Sequence, residues 1–99
     1  MTDFFVYILR CTDGSYYTGH TDNIDLRLAQ HQSGHFGGYT AVRLPVEVVF
    51  VERTQSREAA FASEQRIKGW SRAKKEALIA SDWRALKEAA RPPHERARA

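Results

Sequence analysis

Glu64 is the acid in this sequence whose position calls for an explanation. It falls three residues after Phe61 and three before Ile67, on a helical stripe otherwise formed by Ala60, Phe61 and Ile67. A carboxylate on an apolar face is costly to bury without a partner. Two readings fit it equally: a functional carboxylate, or a structural partner of Arg10, Arg27 or a nearby lysine. A second group of reactive types, Tyr7, Tyr17, Arg27 and His31, is gathered near the N-terminus. A third is basic: Arg66, Lys68, Arg72, Lys74 and Lys75 occur without an acid among them and with Trp70 in their middle. Local positive charge around an aromatic ring suits phosphates and a stacked base. The plainer reading of that run is a solvated helix face with one buried tryptophan.

Periodicity supplies the elements that must position these groups. Phe4 to Leu9 is apolar on both faces, which predicts a central strand. Asp13-Gly14 then turns the chain into a second aromatic run, giving a β-hairpin. With a three-residue loop, Thr12-Asp13-Gly14, and Gly14 left-handed in a bulge, Leu9 lies opposite Tyr17 and Tyr7 shares its face. With Asp13-Gly14 alone, the pairing slips by one and Tyr17 leaves the face of Tyr7. The first register is preferred because the chemistry proposed below needs both tyrosines on one face.

Thr21 or Asp22 is the expected N-cap of a helix from about Asn23 to Gln32 or Ser33, with Asp25 in its first turn. Ile24, Leu28 and His31 share one face, flanked by Arg27. For Arg27 and His31 the plain alternatives are a surface arginine and a capping histidine. Gly34-His35-Phe36-Gly37-Gly38 is expected to be a mobile loop, and Val46 to Glu52 a third strand. Ser56 caps a helix from about Arg57 to Lys68 that ends at Gly69, and Ser71 caps another through about Ala80. Ser81 or Asp82 begins a last helix carrying Trp83 and Leu86, ended by Arg91-Pro92-Pro93.

These elements describe one domain over residues 1–90, with residues 91–99 a disordered tail. The chain has 99 residues and 42% hydrophobic content, and so short a chain buries only about 60–65% of its unfolded surface in one modest core. No apolar run approaches the roughly 20 residues needed to cross a bilayer. The lone Cys11 cannot form an internal disulfide, and the N-terminus has no secretory pattern, so a cytoplasmic protein is expected. A net charge of +3 and a pI of about 9.3 lean towards polyanions, although distribution matters more than total.

Taken in order, several pieces resemble the GIY-YIG nuclease superfamily, and in particular its small stand-alone bacterial UPF0213 (YhbQ-like) group. They are Phe5-Val6-Tyr7 and Tyr17-Thr18-Gly19 for the two triplets, Leu26-Arg27-Leu28-Ala29-Gln30-His31, Gly38-Tyr39-Thr40, and Ile67-Lys68-Gly69-Trp70-Ser71-Arg72. Phe5 replaces the first glycine of the pattern and Thr18 its central isoleucine. His20, just after the second triplet, is a polar residue to which the pattern gives no role.

The resemblance implies an α+β fold, a small three-stranded mixed or antiparallel sheet flanked by helices, that cuts DNA by metal-assisted phosphodiester hydrolysis. It places the catalytic residues at Tyr7, Tyr17, Arg27, His31 and Glu64, and the motif glycine at Gly19. Tyr7 would be the base, with its phenol lowered by cations or metal-bound water, and Tyr17 and His31 would position the water and share its proton. Arg27 would grip the scissile phosphate, and Glu64 would bind one Mg²⁺ or Mn²⁺. Lys68, Arg72, Lys74 and Lys75 would join Arg27 in binding nucleic acid. The expected activity is a structure-directed endonuclease of repair or recombination, acting on branched, flapped or single-stranded DNA, with a protein partner as one source of DNA recognition. The alternative is a non-catalytic nucleic-acid binding or adaptor module, which would need Arg27 and the basic run but neither Tyr7 nor Glu64.

Overall fold

Eight residues of near-continuous apolar and aromatic character, Phe4–Cys11, form strand β1 at the centre of a three-stranded antiparallel sheet of order β2-β1-β3. The computed structural model describes residues 3–35 and 37–81; the expected helix with Trp83 and Leu86 and the tail over 91–99 lie outside them. Contacts divide the chain into two units, Met1–Lys68 and Gly69–Ala99.

In the first unit, β2 spans Tyr16–Thr21 and β3 spans Val46–Thr54. Leu9 pairs with Tyr17 and Tyr7 with Gly19, which is the register of the three-residue loop. Gly14 adopts φ 85°, open to glycine at no steric cost. The Cys11 N–H donates to Ser15 O at 2.8 Å, and Asp13 Oδ1 accepts from the Ser15 N–H at 3.0 Å, closing the turn. A slip between Ile8 and Leu9 leaves Val49 as an extra residue in β3, so that Val46 and Val48 face the same side as Leu9 and Cys11.

Side-chain alternation gives the sheet two faces. Tyr7, Leu9, Cys11 and Val46 are buried on one, with Tyr17, Ile24, Leu28, Leu44 and Val48 packed against them. Ile24 and Leu28 belong to helix α1, Ile24–Gln32. Its N-cap is Asn23, whose side chain accepts from Leu26 N at 3.0 Å, rather than Thr21 or Asp22. The Thr21 hydroxyl is already engaged, accepting from Asn23 N at 3.1 Å and donating to Asn23 O. At the far end of α1, the Gln32 amide brackets both backbone groups of Val46, fixing the helix to the start of β3.

On the other face lie Val6, Ile8, Thr18 and His20, covered by helix α3, which buries Ala60, Ser63, Glu64 and Ile67. This helix spans Arg57–Lys68, with Ser56 Oγ accepting from Ala59 N at 3.1 Å. Phe61 departs from the expected inward stripe: it is 51% exposed. It lies about 100° around the helix from Ala60, at the rim of the buried face, where its ring meets His20 edge to face at 5.7 Å.

The segment expected to be only a glycine-rich loop ends in a short helix, α2, Gly38–Ala41. Gly34, Gly37 and Gly38 all have positive φ, which lets the chain reverse within a few residues of α1. Arg43 secures this turn by donating to Tyr39 O at 2.9 Å and Asp13 Oδ2 at 3.0 Å. Its guanidinium also lies over the Tyr39 ring, 3.8 Å from the centroid. In the second unit, Ser71 caps helix α4, Arg72–Ile79, accepting from Lys74 N at 3.2 Å.

Candidate active site

Gly19 lies beneath Tyr7 in the sheet, and a Cβ at that position would run into the tyrosine hydroxyl and ring. The glycine therefore serves a close approach, and Tyr7 uses the space. Its hydroxyl lies 3.1 Å from His31 Nε2, and His31 Nδ1 lies 2.9 Å from Thr40 Oγ1. All three residues are buried, at 2%, 2% and 3% exposure. Tyr17 meets His31 edge to face at 5.1 Å and stacks outward on Tyr39 at 6.3 Å. Arg27, half-buried on α1, lines a cleft with Tyr7, Leu9, Ile24, Leu28 and Val48.

Burial, followed by the neighbouring Tyr17, pushes the Tyr7 phenol up to about 12, against the charge and hydrogen bond of Arg27; Glu64 adds a smaller upward push. In this state Tyr7 is a neutral phenol at pH 7, shifted in the direction opposite to the one a base requires. Burial and then the charge of Arg27 hold His31 below its ordinary value, so it is a neutral imidazole. An arginine can only donate; the phenolic proton is thus assigned to His31 Nε2, and the His31 Nδ1–H to Thr40 Oγ1. This order links Tyr7, His31 and Thr40 in one buried hydrogen-bonded chain.

Glu64 reaches the site from the opposite face of the sheet. Its Oε1 accepts from His20 Nδ1 at 3.0 Å. Its Oε2 accepts from Gln65 Nε2 at 2.9 Å and lies 3.3 Å from Lys68 Nζ. Burial would raise this carboxyl, but the His20 hydrogen bond and the charge and hydrogen bond of Lys68 outweigh it and hold it low. Glu64 is therefore ionised, and of the partners considered from sequence it meets a lysine, Lys68. Gly19 and His20 are consecutive on the edge strand β2, one beneath Tyr7 and the other against Glu64.

Sequence reasoning assigned no role to Thr40 or His20. For His20 a signal existed: strand alternation sends it to the face opposite Tyr17 and Gly19, where the Glu64 stripe must pack. For Thr40 there was none, since its approach to His31 depends on the glycine turn.

The basic residues are divided. Lys68 closes α3 and pairs with Glu64. In the second unit, Arg72 lies 3.7 Å from Glu76, and Lys74 Nζ sits 4.1 Å from the Trp70 ring centroid. Trp70 is half-buried, and Lys75 lies on the first turn of α4.

A three-stranded sheet with a tyrosine on each strand of its hairpin, an arginine and histidine on the next helix and a glutamate on the third is the arrangement of a nuclease-type domain. The sequence matches the GIY-YIG catalytic domain over residues 3–77, and the chain belongs to that family. Its relatives narrow the placement. A UPF0213 protein of Natronomonas pharaonis is 48% identical over 80 residues, covering 81% of this chain and 94% of the relative. A UPF0213 protein of Staphylococcus aureus is 40% identical over 79 residues, covering 80% and 96%. The solution structure of a UPF0213 protein from Bacillus halodurans superposes with TM-score 0.53 at 41% identity, covering 81% of this chain and 85% of that one. That of a protein from E. faecalis gives 0.57 at 31%, covering 82% and 86%. No helix among the described residues is long and apolar enough to cross a membrane.

Proposed function

We propose that this protein is a DNA endonuclease that hydrolyses phosphodiester bonds with one Mg²⁺ or Mn²⁺ at Glu64. The observation that carries the reading is the buried array Thr40–His31–Tyr7 with Arg27 beside the phenol. A module that only bound DNA would need cations and no such buried proton path.

Glu64 suits a hard cation, being an ionised carboxylate with a 10% exposed side chain. No cluster of three or more His, Cys, Asp or Glu among the described residues could enclose a metal. A single carboxylate matches the way Mg²⁺ binds, keeping several waters and taking substrate phosphate oxygens as ligands. When bound, such an ion supplies Lewis-acid stabilisation of the phosphate and the departing oxygen. The residues of the chain do the rest. Arg27 grips a non-bridging oxygen, two donors matching phosphate geometry. Tyr7 passes its proton to His31 Nε2 and then takes one from the attacking water. Burial raises Tyr7 and lowers His31, so this transfer is uphill in the unloaded site. The phenol becomes a base only when added positive charge lowers it, so hydrolysis waits for a loaded site. Tyr17, edge-on to His31, orients the water.

Lys68, Arg72, Lys74 and Lys75 contact phosphates without reading bases, so selection follows DNA shape: branched, flapped or single-stranded, as in repair or recombination in the cytoplasm. A protein partner is a further source of recognition. The test is to incubate the pure chain with a panel of such DNAs in Mg²⁺ or Mn²⁺ and in EDTA. Cleavage that requires the ion is expected, and cleavage indifferent to EDTA would eliminate the metal reading.

A further inference from the structure

Glu64 offers its two carboxylate oxygens to different kinds of partner, and this asymmetry bears on how an ion could be taken up. His20 holds Oε1 through a short-stemmed ring that is 25% exposed, fixed in β2 and braced edge-on by Phe61. A planar ring on a strand has two side-chain torsions, so its hydrogen bond constrains where the carboxylate lies. Lys68 holds Oε2 at 3.3 Å through a flexible stem that is 47% exposed, one helical turn along α3. Only the lysine end of this i,i+4 pair is open to solvent, and its long stem lets the ammonium leave without disturbing the carboxylate.

We propose that His20 and Lys68 act on the Glu64 ion site in opposite senses. His20 is a positioning residue that keeps the carboxylate oriented and its Oε1 engaged. Lys68 is a placeholder cation on Oε2 that an incoming divalent ion displaces. The displaced ammonium, on the last turn of α3, then turns to a phosphate oxygen. This inference rests on the reading of Glu64 as the ion's ligand. It involves no bond making, only exchange of one cation for another at the same oxygen.

The test is Mn²⁺ binding to the full chain without DNA, read from the electron paramagnetic resonance signal of free Mn²⁺, with each variant's melting curve taken beside it. His20→Ala should weaken Mn²⁺ binding about 10- to 100-fold, the usual effect of losing an outer hydrogen bond to a metal ligand. His20→Asn, whose amide N–H can stand where Nδ1–H stood, should recover most of it. Lys68→Met, which keeps the stem and removes the charge, should tighten binding roughly twofold or more. A merely structural role for His20 would lower the melting temperature alike in Ala and Asn and leave Mn²⁺ affinity of the folded protein at the parental value; that result would overturn the proposal. So would a weaker ion affinity in Lys68→Met. Glu64→Gln separates the two levels. Binding lost there but unchanged in His20→Ala refutes the positioning role alone, whereas binding unchanged in Glu64→Gln refutes the ion site and the inference with it.

Discussion

The two histidines of the site, His31 and His20, lie against opposite faces of one sheet in contrasting surroundings. His31 is 2% exposed, kept neutral, and hydrogen-bonded to two hydroxyls, those of Tyr7 and Thr40. His20 is half-open and bonded to an ionised carboxylate that a lysine also contacts. The α1 face thus carries a buried line of neutral groups, Tyr7, His31 and Thr40, with the Arg27 charge beside it, and the α3 face is a wetter one built around an ionised carboxylate and suited to holding a cation. A phosphodiesterase needs both, and low dielectric that strengthens the first would penalise the second. Placing them on either side of the edge strand, at Gly19 and His20, lets each keep its own surroundings.

The most severe way to break this division is Gly19→Ala. The new methyl meets the Tyr7 hydroxyl, which cannot swing aside while it is buried against His31. We expect a loss of about 1–3 kcal/mol, near the upper end, by chemical denaturation, together with loss of nuclease activity.

Tyr7→Phe sharpens the proton side. Because the folded pKa is raised, from 10.0 to about 12, the neutral phenol stabilises the fold below pH 10, and that contribution disappears as pH rises towards 12. Two units correspond to at most about 3 kcal/mol. The parent should lose that much more stability than Tyr7→Phe between those pH values, and parallel curves would show that Tyr7 is not held neutral by the fold. At the acid end, His31 is shifted down, so its contribution is present above about pH 6.5 and is lost as pH falls through its folded value.

Thr40→Val is smaller. It keeps the shape and strands the His31 Nδ1–H in a buried place, which should cost about 1–3 kcal/mol in a urea titration. A neutral outcome would show that the Thr40 hydroxyl does not hold His31 in place. Smallest is Lys74→Ala with Lys75→Ala, which leaves both faces intact. DNA of every structure should bind more weakly, with the salt slope flatter by up to about 0.9 per lost contact on duplex DNA. Unchanged slope would leave those lysines as a solvated helix face.

Much of the scaffold was legible because its cues are local. Apolar runs placed β1 centrally, Gly14 permitted the loop that pairs Leu9 with Tyr17, and Ser56 and Ser71 marked two helix starts. Glu64 was conspicuous for the same reason, as a charge on a periodic apolar stripe. Phe61 misled because neighbouring positions on a helix differ by 100°, so a residue beside the stripe looks like part of it. The partners of the site were harder to read. His20 and Glu64 are 44 residues apart and meet only because α3 docks on the sheet. Thr40 reaches His31 across three glycines at positive φ, whose freedom gives the sequence no preferred course.

The most direct measurement compares Glu64→Gln with the parent in two readouts, cleavage rate on a branched DNA with Mn²⁺ and melting temperature without it. Gln keeps the side-chain volume and can still accept from His20, so the fold should melt close to the parent. Loss of the negative ligand removes several kcal/mol of transition-state stabilisation, and each 1.36 kcal/mol is about tenfold in rate, so cleavage should fall by orders of magnitude. A Glu64→Gln protein that melts far below the parent yet cuts DNA at the parental rate while folded would contradict the account, making Glu64 a structural partner of His20 and Lys68.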